Sequence, residues 1–116
     1  MMAGEMASEA MKMEAVRAFR AAFRRQQAGD VEGAIHHYLR SLELLPTAEA
    51  HTFLGWALSF QGRLEEAIAE CRKAIAIDPT FSNPYNDIGA YLIELDRVEE
   101  SLSWLEDKTI NAYLAT

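Results

Sequence analysis

The stretch AEAHTFLGWALSFQGRLEEAIAECRKAIAIDP, Ala48 to Pro79, decides the fold. It divides at Gly62 into two segments whose apolar residues recur at helical spacing. Leu54, Ala57, Leu58 and Gln61 mark one face before the glycine. Leu64, Ala67, Ile68, Cys71, Ile75 and Ile77 mark the next. Gly62 breaks the pattern because glycine enters a left-handed turn at little steric cost, and Pro79 ends it because the residue before a proline is pushed out of the helical region. The spacing predicts two short helices joined by a tight turn.

The landmarks of this stretch recur. The interval from Gly29 to Gly62 is the interval from Ala34 to Ala67 and from Pro46 to Pro79. Leu54-Gly55 returns as Ile88-Gly89 at nearly the same interval. A period of about 34 residues built of helix, turn and helix is that of the tetratricopeptide repeat, and the chain resembles that family. In the middle unit Leu54-Gly55, Leu58, Gly62, Ala67, Cys71, Ala74 and Pro79 fill the family's slots. Cys71 stands where the family usually has a large aromatic, and His51 where it often has Trp. The resemblance implies three repeats, at about 15–47, 48–81 and 82–108, within a domain over 9–116 that follows an unstructured segment at 1–8 and ends in a short tail at 109–116. The fold it implies is all-α: a right-handed superhelical solenoid of stacked antiparallel helix pairs, each burying its apolar side against the next.

Composition agrees with one such domain. Half of the 116 residues are hydrophobic, enough to bury a core. A net charge of −7 argues against nucleic acid, whose phosphates need a basic surface. A single cysteine excludes an internal disulfide framework and cysteine metal clusters. Residues 1–14, MMAGEMASEAMKME, do not read as a secretory signal, and no apolar run approaches a membrane span. The expectation is a cytoplasmic protein.

Along the chain, the first helix is expected from near Glu9 to Gln27, closed by Ala28-Gly29-Asp30. Two registers for it stand open. The period puts Ala21-Ala22 in the slots of Leu54-Gly55 and Arg25 in that of Leu58, whereas the apolar stripe nominates Val16, Phe19 and Phe23 as core. Asp30 and Thr47 are placed to cap the second and third helices. A fourth is expected over 63–77. In Ser82-Asn83-Pro84, Asn83 is the expected cap and Pro84 the first helical residue of the fifth. Asp96 occupies the turn slot of Gly29 and Gly62, and the sixth helix begins near Val98.

No catalytic arrangement stands out. His36 and His37 are adjacent, so on a helix their side chains diverge by about 100° and do not chelate one metal easily. Gly29 and Gly33 do not make a nucleotide loop. Glu65-Glu66 and Glu99-Glu100 read as dipole compensation at helix starts. Cys71 faces the helical core as a small hydrophobe. No enzyme activity, cofactor or metal is expected.

The resemblance instead points to a groove, since the family's first helices line a concave surface. Its positions map onto Val16, Phe19, Phe23, Gln26 and Gln27, onto Glu49, Thr52, Trp56, Ser59 and Phe60, and onto Asn83, Asn86, Ala90, Ile93 and Glu94. Phe19, Phe23, Trp56 and Phe60 would form an aromatic patch suited to an apolar peptide or helix of a partner protein, with Asn83 and Asn86 available to its backbone. Family members that hold the acidic tails of heat-shock chaperones use Lys, Arg and Asn there. The matching slots hold Phe19, Phe23 and Phe53, so that carboxylate clamp is absent and a chaperone tail is not the expected partner.

A homo-oligomer is the alternative. Residues 12–25 carry five basic residues against one acidic, and 94–108 carry six acidic against two basic, so opposite ends could stack. The tail, too short for a full helix of its own, would leave Trp104, Leu105, Ile110, Tyr113 and Leu114 as apolar surface, to be covered by the tail folding back, by a second copy in self-association, or by more of a longer protein.

Overall fold

The computed structural model describes residues 2–115, and side chains over 8–106. Six helices follow in order: α1 (Met2–Gln27), α2 (Val31–Leu44), α3 (Ala48–Phe60), α4 (Leu64–Ile77), α5 (Asn83–Glu94) and α6 (Val98–Ala115). No strand occurs among the described residues. The helices pack as hairpins, α1 with α2, α3 with α4 and α5 with α6, and the hairpins stack through α2 on α3 and α4 on α5. Helix α3 also touches α5 directly, while no comparable contact joins α2 to α4 among the described residues. The stack therefore bends with α1, α3 and α5 on its inner side.

Each hairpin turns in the same way. Gly29, Gly62 and Asp96 have φ of +88°, +74° and +62°. The amide after each donates back five residues, Asp30 to the Arg25 carbonyl at 2.9 Å, Arg63 to that of Leu58 at 3.1 Å and Arg97 to that of Leu92 at 2.7 Å. This is the glycine-type helix stop, in which a left-handed residue lets the chain wrap back onto the last free carbonyls. Asp96 meets the same demand with a Cβ, at a steric cost that the greater freedom of an unfolded glycine only partly offsets. Asp96→Gly is expected to stabilise the fold by about 0.5 kcal/mol, a rise in melting temperature of about 2–4 °C. A lower melting temperature would contradict this account of the turn.

The caps follow sequence chemistry. Asp30 accepts from the Gly33 amide at 2.9 Å and Thr47 from that of Ala50 at 3.1 Å, each satisfying an orphan donor of the first turn. Helix α4 starts at Leu64 with Arg63 as its cap. Helix α5 starts one residue earlier than the Asn83 cap predicts: Ser82 is the N-cap and Pro84 lies in the first turn, where its missing N–H costs nothing.

The core runs through all three hairpins, from Ala22, Ala34 and Tyr38 through Leu54, Leu58, Ala67, Ile68 and Cys71 to Ile88, Tyr91 and Leu92. It settles the register of α1. Ala15, Ala22 and Gln26 are buried with Phe19 half-buried between them, a helical stripe that puts Ala22 in the slot of Gly55. Val16, core in the other of the two registers, is 47% exposed. Arg25, in the slot of Leu58, points outward and pairs with Asp30 at 3.0 Å. Two ends also differ from expectation. Helix α1 begins at Met2 rather than near Glu9, and residues 109–115 continue α6 instead of forming a separate tail, because nothing between Val98 and Ala115 breaks the helix.

Candidate functional site

The inner faces of α1 and α3 share a row of aromatic rings. Phe53 is its centre, edge-on to Phe19 at 5.1 Å, to Phe23 at 5.9 Å and to Trp56 at 5.9 Å. Trp56 meets Phe60 at 5.2 Å. Below the row, Tyr38 of α2 touches Phe19 at 5.6 Å and stacks on Phe53 at 6.2 Å. Edge-to-face pairs at such distances add about 0.5–1.5 kcal/mol each beyond the area they bury, so the rings hold one another in place. Phe19, Phe23, Phe53 and Trp56 are half-buried, and Phe60 is 57% exposed at the end of the row.

The predicted groove residues do not all reach this surface. Glu49, Asn83, Asn86, Ala90, Ile93 and Glu94 are exposed on the inner faces of α3 and α5, and Ser59 is half-buried. Thr52 does not qualify. It is 4% exposed, with its hydroxyl donating to the Ala48 carbonyl at 2.7 Å, so it presents almost no surface to a ligand. Gln26 is likewise buried, accepting from the Tyr38 hydroxyl at 2.9 Å, while Gln27 beside it is exposed.

The third hairpin changes the character of the surface. Asp87 stands one period after Phe53, half-buried near Tyr91, whose side chain faces Ser59 of α3. Burial pushes the Asp87 carboxyl up to about 6. The inner face thus passes from aromatic on α1 and α3 to carboxylate and amide on α5. Sequence reasoning misses Asp87, although its place one full period after Phe53 is the signal that marks it.

The other candidate side chains have structural neighbours. His51 Nδ1 lies 2.6 Å from Glu70 Oε2, and Lys73 donates to the other Glu70 oxygen at 2.8 Å. Burial would raise the Glu70 carboxyl, but the bonds to His51 and Lys73 outweigh it and hold the group below its usual range. Cys71 is fully buried against Gly55, and burial raises its thiol far from the reactive range. Trp104, expected on the self-association surface, is turned inward and half-buried. Tyr85 lies 6.1 Å from its ring and the Arg72 guanidinium sits 5.7 Å above it. Leu105 leans on Gly89 yet stays 38% exposed. Ile110, Tyr113 and Leu114 lie outside the described side chains. Among the described residues no group of three His, Cys, Asp or Glu is placed to hold a metal ion, and no helix is long and apolar enough to cross a membrane.

Comparison with known proteins agrees with this geometry. The family model for the tetratricopeptide repeat matches residues 48–81, the middle hairpin. The middle hairpin is a tetratricopeptide repeat, and the six helices have the tetratricopeptide fold. Solved tetratricopeptide structures superpose on nearly all of it. The second such domain of Spaghetti (RPAP3), bound to the HSP90 peptide SRMEEVD, is 23% identical with a TM-score of 0.80, over 88% of this chain and 97% of that one. The TPR2B domain of yeast Sti1, in its pHsp70 complex, is 25% identical with a TM-score of 0.82, over 85% and 80%. MamA is 20% identical with a TM-score of 0.82, over 88% of this chain but only 60% of its own. No curated protein sequence matches the chain.

Proposed function

We propose that this protein is an interaction module without chemistry of its own, which holds a peptide or helix of a partner protein against the inner faces of α1, α3 and α5. The observation that supports this reading is the row Phe19, Phe23, Phe53, Trp56 and Phe60: rings fixed by their neighbours, half open to solvent, and continuous over two repeats. Rigid aromatic side chains lose little conformational freedom on binding, and such groups dominate interface energies. The solved relatives bound to chaperone peptides favour a peptide as the kind of ligand, but not the same peptide. SRMEEVD is rich in carboxylates, and the slots where the resemblance implies a clamp hold Phe19, Phe23 and Phe53, which carry no cation to meet them.

The test is a displayed library of peptides selected on the folded protein, with affinities measured by calorimetry. Trp56→Ala and Phe60→Ala are each expected to weaken the selected peptides about tenfold or more, as loss of an interface anchor does. SRMEEVD is expected not to bind. Selected peptides whose affinities all survive Trp56→Ala would overturn the reading.

A further inference from the structure

Phe53, Trp56 and Phe60 on the inner face of α3 are followed one period later by Asp87, Ala90 and Glu94 on that of α5. Stacking of the hairpins sets such slots side by side, and α3 touches α5 directly. Two aromatic slots therefore border two carboxylates, and the indole of Trp56 borders the methyl group of Ala90. Asp87 and Glu94 are seven residues apart on one helix, about two turns or about 10 Å, and share a face. Ala90 between them is exposed and short, which leaves room for a long side chain to lie along the helix.

No positive charge of the protein meets these carboxylates. Helices α3 and α5 contain neither Lys nor Arg. Among the described residues neither Asp87 nor Glu94 takes part in a hydrogen bond or an ion pair, whereas the half-buried Glu70 is met by both His51 and Lys73. Burial of Asp87 is thus uncompensated, and its carboxyl is raised by burial with no cation to oppose the shift. The slot that holds Phe53 on α3 and Asp87 on α5 holds Arg20 on α1, exposed at the far end of the groove. A cation is therefore attracted at the α5 end and repelled at the α1 end.

We infer that the peptide held in this groove presents a Lys or Arg whose charged end lies between Asp87 and Glu94 and whose aliphatic stem runs over Ala90 beside Trp56, with apolar neighbours on Phe53 and Phe60. The inference rests on the aromatic groove proposed above and adds the chemistry of what enters it. A long cationic side chain suits the place in both its parts. Its stem covers apolar surface while its head makes charge-assisted hydrogen bonds to carboxylates that otherwise have only water. A cation near an indole face gains a further attraction from the ring.

The test selects random linear peptides, displayed on phage, against the intact protein and against the double variant Asp87→Asn, Glu94→Gln. Both substitutions nearly keep side-chain shape at positions open to solvent, and circular dichroism checks the fold. Peptides selected on the unaltered protein are expected to be enriched in Lys or Arg beside apolar residues, and those selected on the double variant are not. One enriched peptide is then synthesised and titrated by calorimetry. Replacing its Lys or Arg with Gln should weaken binding to the unaltered protein about fivefold or more, and binding to the double variant less than about twofold, because there the pair is already broken. Peptides that lose affinity with Trp56→Ala but show no enriched cation, or whose cation costs as much to replace against both proteins, would overturn this inference and leave the aromatic groove standing. Peptides indifferent to Trp56→Ala, or a selection that yields no binding peptide, would overturn both.

Discussion

Gly55→Leu is expected to remove about 3 kcal/mol or more of stability, seen as a fall in melting temperature of about 12 °C or more, because a side chain at this point has no room between α3 and α4. A Cβ built on Gly55 would lie 3.0 Å from the Ala67 carbonyl oxygen and 3.4 Å from Cys71 Sγ. The first of these is backbone, which cannot rotate away as a side chain can, so the two helices must part. The parting would be felt on both sides, since Cys71 and Leu58 also carry the joints to the neighbouring hairpins. Gly89 occupies the same slot one repeat later, but its nearest neighbours are side chains, Ser101 Oγ at 3.4 Å and Leu105 Cδ2 at 3.6 Å. Two alanine variants therefore separate crowding from helix propensity. Alanine gains about 0.8–1.0 kcal/mol over glycine in a helix interior, so Gly89→Ala should be neutral or stabilising, while at Gly55 the backbone contact offsets that gain. Equal melting shifts for the two would contradict the close approach at Gly55.

The same slots explain why so much of the fold is legible in the sequence. Turn residues and close-contact residues are local demands: a positive φ asks for Gly or Asp, and a helix crossing asks for Gly or Ala, so Gly29, Gly62 and Asp96 with Ala22, Gly55 and Gly89 carry the period without any aromatic signature. What is not legible depends on partners distant in sequence. The stripe Val16, Phe19, Phe23 looks like the core of α1 because it is the most hydrophobic one. The true stripe contains Gln26, which is tolerated inside only because the Tyr38 hydroxyl, twelve residues away, donates to it. The aromatic row is legible in outline but not in its centre. Phe53 unites the rings, and it lies at the margin of the inner face, where pattern alone does not separate core from groove. Asp87 occupies that same margin one repeat later, so the change from aromatic to acidic surface is a substitution in one slot. In α6 the apolar stripe reads as core by periodicity and is surface only because no fourth helix pair covers it among the described residues.

Tyr38→Ala should be the most damaging substitution in the first repeat, lowering the unfolding free energy by about 3–5 kcal/mol, the range for removing a buried aromatic ring. Tyr38 is fully buried, and it is the large aromatic whose place Cys71 takes in the middle repeat. Its ring touches Phe19 of α1 and Phe53 of α3, so it joins two hairpins. Its hydroxyl is the one described partner of the buried Gln26 carbonyl, whose amide nitrogen already has none. Burial pushes that hydroxyl up to about 12, so it remains a neutral donor throughout the ordinary pH range. Against a total of about 5–15 kcal/mol for a domain, the loss takes the protein to the edge of stability. Tyr38→Phe keeps the ring and removes only the donor. It should cost about 1–3 kcal/mol, because the Gln26 carbonyl is left desolvated and unpaired. Adding Gln26→Met to Tyr38→Phe should recover most of that cost, since the polar group and its missing partner then leave together. Urea unfolding of the three variants, read at constant m-value, separates the contributions. A loss below about 1 kcal/mol for Tyr38→Ala would mean that the ring does not join the first two hairpins, and would return α1 to the register in which Val16, Phe19 and Phe23 form its core.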